Sequence, residues 1–274
     1  MTQRVERLAS SVATQLKGEI PDYERYDYST VWRGRSIEDR VEKEIVSRWA
    51  SGETGVELGG GFGRITQVIE KRVGQMFMLD YSLSNLRRAS SRLERTTLVR
   101  GTLQRLPFDE SVFDFVALIR VIHHVPDPEA LLAEVVRVAR DGGTFVLGIA
   151  NAFDRGHKTE EGQVRVSPEG HRIYPTPLAR YRHQGLEREE VLGVGAFDNR
   201  FGRKVERLSP LATLDLKTSR LWPAKSMLFA RYRVKKGAGK NEPQLKCTCG
   251  GTIRERRCDG CGRTFGQIID LVGQ

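Results

Sequence analysis

The sequence predicts an α/β protein, a doubly wound and mostly parallel sheet followed by a small C-terminal module built around cysteines. Three observations carry this reading. From Thr54 the chain alternates short apolar runs with amphipathic stretches of helical period. A glycine-rich turn, Gly59-Gly60-Gly61-Phe62-Gly63, follows the first apolar run, and Asp80 ends the second. All four cysteines, Cys247, Cys249, Cys258 and Cys261, crowd into one short C-terminal stretch.

The elements follow in order. Ile37, Val41, Ile45, Val46 and Trp49 recur at helical spacing, and Ser36 stands where a cap is expected. Ahead of them, segment 22–32 gathers Tyr23, Tyr26, Tyr28 and Trp32 without a clear period, which suits a lid or a hydrophobic strap. Residues 1–53 therefore read as an N-terminal helical cap. Strand 55–58 enters the glycine turn, helix 64–72 follows, and strand 76–79 ends at Asp80. Helix 83–94, strand 97–100 and strand 113–119 come next. Helix 128–140 is capped by Asp127 and has proline in its first turn. Asp141-Gly142-Gly143 turns the chain into strand 144–150. Residues 152–234 read as loops and short strands with a last strand at 226–234. Residues 235–244 are a polar linker and 245–274 the cysteine module. There is no internal repeat.

The chain has 274 residues and a net charge of +10, unevenly placed. Residues 1–150 carry 21 basic and 21 acidic side chains, whereas residues 231–274 carry 10 basic against 4 acidic. A neutral body with a basic tail suggests an anionic partner for the tail, such as nucleic acid, or simply a solubilising charge. No apolar run approaches the ~18 residues a membrane helix needs, and the N-terminus lacks a secretory apolar core, so a cytoplasmic protein is expected.

Glycines at a strand-to-helix turn let a ligand approach the backbone without meeting a Cβ. Counted from Gly59, the third position of the dinucleotide fingerprint falls on Arg64, which excludes a nicotinamide site, and no Gly-Lys-Ser/Thr ends the turn as a P-loop requires. What remains is acidic-x-Gly-x-Gly-x-Gly from Glu57 to Gly63, with Asp80 placed at the next strand tip to accept both ribose hydroxyls of an adenosine ligand.

Together, VELGGGFGRIT, MLDYSLSNLRRA, LQRLPFDESVFDFV and RVIHHVPDPEALLAEVVRVARDGGTFVLGIAN resemble the class I S-adenosylmethionine-dependent methyltransferases of the type 11 branch, over about residues 50–151. The resemblance implies a Rossmann-like seven-stranded sheet, S-adenosylmethionine as cofactor and direct in-line methyl transfer. It implies that Gly59, Gly60, Gly61 and Gly63 line the methionine part with Glu57 behind them. Asp80 then holds the ribose, Tyr81 lies beside the adenine and Leu103 packs on the ring. Two positions depart from the family pattern. Thr102 replaces an acid facing the adenine amino group, and Arg120 replaces a small or polar residue. Arg120 is placed to reach the cofactor carboxylate or an anionic acceptor, or to face solvent.

His123 and His124 stand at the mouth of the fourth strand as candidate bases, although such a pair also packs the fold in this family. Acceptor specificity is expected from segments 22–35 and 152–225, the latter with His157, His171, Tyr174, Tyr181 and His183. No pattern there identifies the acceptor. The neutral body favours a small molecule over RNA or a translation protein, which the basic tail would suit. The alternative, from another class, is a non-catalytic nucleic-acid- or protein-binding module that retains the fold.

Cys247-x-Cys249 and Cys258-x-x-Cys261 form two knuckles able to close a tetrahedral thiolate site, the preference of structural zinc. About thirty residues cannot bury a sufficient core, so the metal would supply the folding free energy. An iron–sulfur cluster or a redox pair is the alternative. Residues 243–273 resemble the zinc-ribbon family of small methyltransferase activators, with a first knuckle one residue shorter than usual. That resemblance implies a module that docks on a methyltransferase, here carried in cis. Arg254, Arg256, Arg257 and Arg263 are placed to contact phosphates or to form a solvated hairpin.

Overall fold

Apolar runs become central strands where both of their faces are covered. β1 (Gly52–Leu58), β2 (Val73–Asp80), β3 (Thr96–Arg100), β4 (Phe113–Ile119) and β5 (Ala139–Ala150) pair in parallel. The computed structural model describes residues 24, 27–151, 165–166, 172–173, 177–195, 209–220, 225–236 and 244–272. Two short strands, β6 (Arg165–Val166) and β7 (Arg172–Ile173), pair only with each other. β9 (Met227–Val234) pairs antiparallel with β5, and β8 (Leu186–Val194) pairs antiparallel with β9 to close that side of the main sheet. In the cysteine segment, β10 (Leu245–Lys246), β11 (Thr252–Arg254) and β12 (Arg257–Cys258) form a small sheet. The last strand, β13 (Ile268–Asp270), returns to the main sheet and pairs in parallel with β3. The order is β13-β3-β2-β1-β4-β5-β9-β8.

The sheet therefore has eight strands rather than the expected seven. The eighth satisfies the outer hydrogen-bonding edge of β3, which would otherwise stay open to pairing with another chain. Leu245 bridges Phe108, and the Lys246 N–H donates to the Pro107 carbonyl at 2.9 Å. Cys247, Cys258, Ile253 and Ile269 join the same buried cluster as Leu131 and Val135. The cysteine segment is thus packed on the sheet.

Strand alternation divides the core. Val56, Leu58, Phe77 and Leu79 meet α4 (Pro128–Val138), whose Leu131, Leu132 and Val135 are buried. On the opposite face, α1 (Ser36–Trp49) and α2 (Thr66–Ile69) pack over Met76, Phe115 and Ala117. α3 (Leu83–Ser90) buries Leu86 and Ala89 on Met78 and Leu98. α5 (Ser209–Lys217) adds Ala212 to the α1 side.

Several boundaries differ from the sequence expectation. Ser36 begins α1 instead of capping it, and the side chain of the cap residue Arg35 makes no capping hydrogen bond. α2 is a single turn that ends at Glu70, whose backbone N–H still donates to the Thr66 carbonyl while its carboxylate accepts from Thr96 Oγ1 at 2.9 Å. The expected turn at 141–143 lies inside β5 as an irregularity opposite Phe113 and Phe115, with Gly142 at φ +72°. No helix among the described residues is long and apolar enough to cross a membrane.

Candidate functional site

The strand ends β3, β2, β1 and β4 line up along one cavity. The glycine turn at its centre is tied to β2, because the Gly59 N–H donates to the Leu79 carbonyl at 2.7 Å. Gly59, Gly61 and Gly63 have φ of +73°, +57° and +80°, the region where a Cβ is strained. Their surroundings separate their roles. A Cβ at Gly59 would lie 2.5 Å from Val121 Cγ2, and one at Gly60 2.4 Å from Met78 Cγ. A Cβ at Gly63 would meet Leu93 at 3.0 Å. Only at Gly61 is the space open, with Tyr28 nearest at 3.9 Å. Gly59, Gly60 and Gly63 thus let the turn pack, and Gly61 is the one of the four where a Cβ would enter open space.

Asp80 locks this turn. Its Oδ2 accepts the Gly61 N–H at 2.7 Å and its Oδ1 the Ser82 N–H at 2.9 Å. Burial pushes its carboxyl up to about 6, against those two hydrogen bonds. Behind the turn, Glu57 accepts from the Thr66 hydroxyl, and burial raises its carboxyl to about 7. Two carboxylates under one turn give the site a negative character that suits a cationic or hydroxyl-rich ligand.

Tyr81, Thr102 and Leu103 line the cavity on the β3 side of Asp80, and Arg120, Val121 and His124 on the β4 side. Glu57, Gly60 and Arg64 line a smaller adjoining recess, which shares Gly59, Gly61 and Arg120 with the main cavity. The sequence-predicted set is therefore brought together except for two residues. Gly63 lines neither space, and of the histidine pair only His124 reaches the cavity, its ring 4.2 Å from that of His123.

Arg120 does not face solvent. At φ +63° it turns back onto α1 and donates to Glu38 and to Glu42 Oε1, the latter at 2.6 Å. Arg64 pairs with Glu42 as well and with Asp39 at 2.8 Å. Burial alone would raise the Glu42 carboxyl, but the two guanidinium groups together hold it below its ordinary value. Trp32 closes the cluster, with Arg64 3.4 Å and Arg120 4.9 Å from its ring centroid. Sequence reasoning missed Glu38 and Glu42, although an acid at Glu42 inside the Val41–Ile45 apolar face was the available signal.

Of the other candidates, Tyr28 lines both spaces. Tyr181 is buried in the core, and His183 Nδ1 accepts the Gly185 N–H at 3.0 Å, so neither belongs to the site. Tyr23, Tyr26, His157, His171 and Tyr174 lie outside the described residues.

The four cysteine sulfurs form the second candidate centre and lie within 4.8 Å of one another. Cys247 and Cys261 are 3.8 Å apart and Cys249 and Cys258 3.4 Å. A tetrahedron with metal–sulfur bonds of about 2.3 Å has edges of about 3.8 Å, so the spacing fits zinc. Gly250 and Gly262 turn the two knuckles at φ +90° and +72°.

Residues 56–147 match the family described as a methyltransferase domain. Over those residues the chain resembles a methyltransferase domain. It is 30% identical over 102 residues to the demethylmenaquinone methyltransferase of Thermobifida fusca, covering 35% of this chain and 43% of that protein. It is 36% identical over 87 residues to the phthiotriol/phenolphthiotriol dimycocerosates methyltransferase of Mycobacterium tuberculosis, covering 32% of each. The chain spans less than half the length of these curated relatives. Among solved structures, a SAM-dependent methyltransferase of Thermotoga maritima shares the fold with TM-score 0.59 at 20% identity, covering 78% of this chain and 98% of that one. A chain from the complex between the Haloferax volcanii Trm112 methyltransferase activator and a methyltransferase aligns with TM-score 0.56 at 19% identity, covering 77% and 96%.

Proposed function

We propose that this methyltransferase domain binds S-adenosylmethionine and passes its methyl group to a small, largely apolar acceptor, and that the four cysteines hold one structural zinc. The observation that carries the reading is the pairing of open backbone at Gly61 with the half-buried carboxylate of Asp80. An adenosyl ligand fits that pairing, since its ribose hydroxyls are donors and Asp80 is an acceptor with a lone pair to spare on each oxygen.

In this reading the Gly59–Gly61 backbone and Glu57 hold the methionine end, Asp80 the ribose, and Tyr81, Thr102 and Leu103 the base. Bound there, the cofactor supplies an electrophilic methyl on a sulfonium that is already a good leaving group. The protein's own work is alignment. Tyr28 and Val121 wall the methyl end with apolar surface, and Trp32 pins the Tyr28 turn over it through Arg64 and Arg120. His124, the imidazole of the pair that lines the cavity, is placed to take a proton from an acceptor nitrogen, oxygen or carbon.

The apolar mouth favours a small molecule, as do the relatives named for demethylmenaquinone and phthiotriol substrates. We divide the chain into a cap to residue 53, the methyltransferase domain over 54–234, a linker over 235–244 and a zinc ribbon over 245–274. The ribbon acts as an activator carried in cis. Its β13 occupies the β3 edge, and its Asp270 pairs with Arg100 at 3.0 Å, which in turn donates to the Tyr81 carbonyl at 3.0 Å beside the cavity.

Transfer of a tritiated methyl into a fractionated extract tests the acceptor class. Label in the small-molecule fraction is expected, and label in RNA or protein overturns that assignment. A thermal midpoint unmoved by saturating cofactor overturns the enzyme reading in favour of a non-catalytic binding module.

A further inference from the structure

One guanidinium beside the cavity joins segments from both ends of the chain. Arg100 ends β3, with Asp270 of β13 as its register partner on the outer side. Each of its three nitrogens meets a different segment. Nη1 donates to Asp270 Oδ2 at 3.0 Å, Nε donates to the Tyr81 carbonyl at 3.0 Å, and Nη2 stands 3.5 Å from Glu24 Oε1. The Arg100 side chain is only 17% exposed, so solvent screens these contacts less than it screens surface pairs. Asp270 is itself held, since its other oxygen accepts the Val272 N–H at 2.9 Å. A planar guanidinium can serve three partners in fixed directions, which an ammonium on a flexible stem cannot.

Glu24 leads into the turn that covers the cavity. Its two oxygens accept the Leu83 and Ser84 N–H groups at the start of α3. Three residues on, Asp27 pairs with Arg88 of α3 and accepts the Ser29 N–H at 3.1 Å, which starts the turn Tyr28–Trp32. Tyr28 then stands over Gly61, 3.9 Å from where a Cβ would lie, and lines both the cavity and its recess. Of the two ties to α3, Asp27–Arg88 is exposed and contributes little. The Glu24 tie is half-buried, and it is the one that Arg100 reinforces.

We infer that Arg100 is a positioning residue that holds Glu24 and the Tyr28 turn closed over the cavity, with the C-terminal strand orienting it through Asp270. A ligand seated at Gly61 then leaves when the Tyr28 turn lifts, and losing a contact of Arg100 at either end of the chain speeds that step. For its effect on release, the inference rests on the proposed reading of the cavity as a cofactor site.

Release of tritiated S-adenosylhomocysteine from the full chain, chased with unlabelled ligand, tests it. Asp270→Asn is expected to speed release about three- to fivefold, the worth of one half-buried ion pair. In Arg100→Met and in Glu24→Gln, each faster than wild type, adding Asp270→Asn is expected to change nothing further, because its effect passes through the Arg100–Glu24 contact. A purely structural loss would instead multiply in every background. Should Arg100→Met not fold, Arg100→Gln repeats the measurement. Trypsin cleavage after the exposed Arg33 reads the turn without ligand, and it is expected to quicken by a similar factor in Asp270→Asn. An Asp270→Asn chain that changes neither release nor cleavage, or whose effect multiplies with that of Glu24→Gln, overturns the inference while the cofactor reading stands. A wild type that binds no S-adenosylhomocysteine sinks the cofactor reading alone, and cleavage at Arg33 then decides the role of Arg100.

Discussion

Replacing Asp80 with asparagine removes one negative charge from the centre of the cavity while preserving side-chain shape. The carboxylate holds the Gly61 N–H at 2.7 Å and the Ser82 N–H at 2.9 Å, and one asparagine oxygen can keep only one of these bonds. The ribose hydroxyls would lose a charge-assisted acceptor worth about 1.5–3 kcal/mol, or roughly ten- to a hundredfold in affinity. A pH signature accompanies the loss. Burial has raised this carboxyl to about 6, so it is ionised above that pH and becomes protonated as the pH falls through it. The hydroxyls need the ionised form. At pH 5 about one tenth of it remains, and wild-type affinity for S-adenosylhomocysteine is expected to fall about tenfold from its plateau above pH 7. Asp80→Asn is expected to be flat over the same range. Calorimetry between pH 5 and 8 reads both effects. Equal affinities, or parallel pH profiles, would refute the role assigned to Asp80.

Other outcomes follow from the same geometry. Gly61→Ala is expected to cost only about 1–2 kcal/mol of stability for its φ of +57°, yet to weaken cofactor binding at least tenfold because the methyl enters the cavity; a variant that binds normally contradicts this. Glu57 has its carboxyl raised to about 7 by burial, so its charge destabilises the fold increasingly from pH 4.5 to 7. Glu57→Gln is therefore expected to exceed wild-type stability by up to about 3 kcal/mol at pH 8 and to match it below pH 4.5, read by urea denaturation. Cys258→Ser is expected to abolish binding of one zinc per chain, measured by elemental analysis; iron in place of zinc, or no metal in the fresh wild type, would contradict the assignment. Lys225 donates to Asp215 at 2.6 Å with both side chains buried, so Lys225→Met leaves an uncompensated charge and is expected to cost about 3–5 kcal/mol.

The site's centre was legible in the sequence because its signals are local. A glycine turn after one strand and an aspartate at the tip of the next stand close in the chain, and their backbone demands are strict. The cysteine spacing was legible for the same reason. What escaped was set by distant contacts. Arg120 finds Glu38 and Glu42 across about eighty residues, and nothing in its own neighbourhood announces that pairing. β13 has only three residues and no period of its own, and its place is decided by the open edge of β3.

The account stands most directly on a crystal structure of the full chain with S-adenosylhomocysteine. Both ribose hydroxyls are expected on Asp80, the homocysteine end against Gly59–Gly61, and the base between Tyr81 and Leu103. A ligand found elsewhere, or a cavity filled by the chain's own Tyr28 segment at saturating ligand, would contradict it.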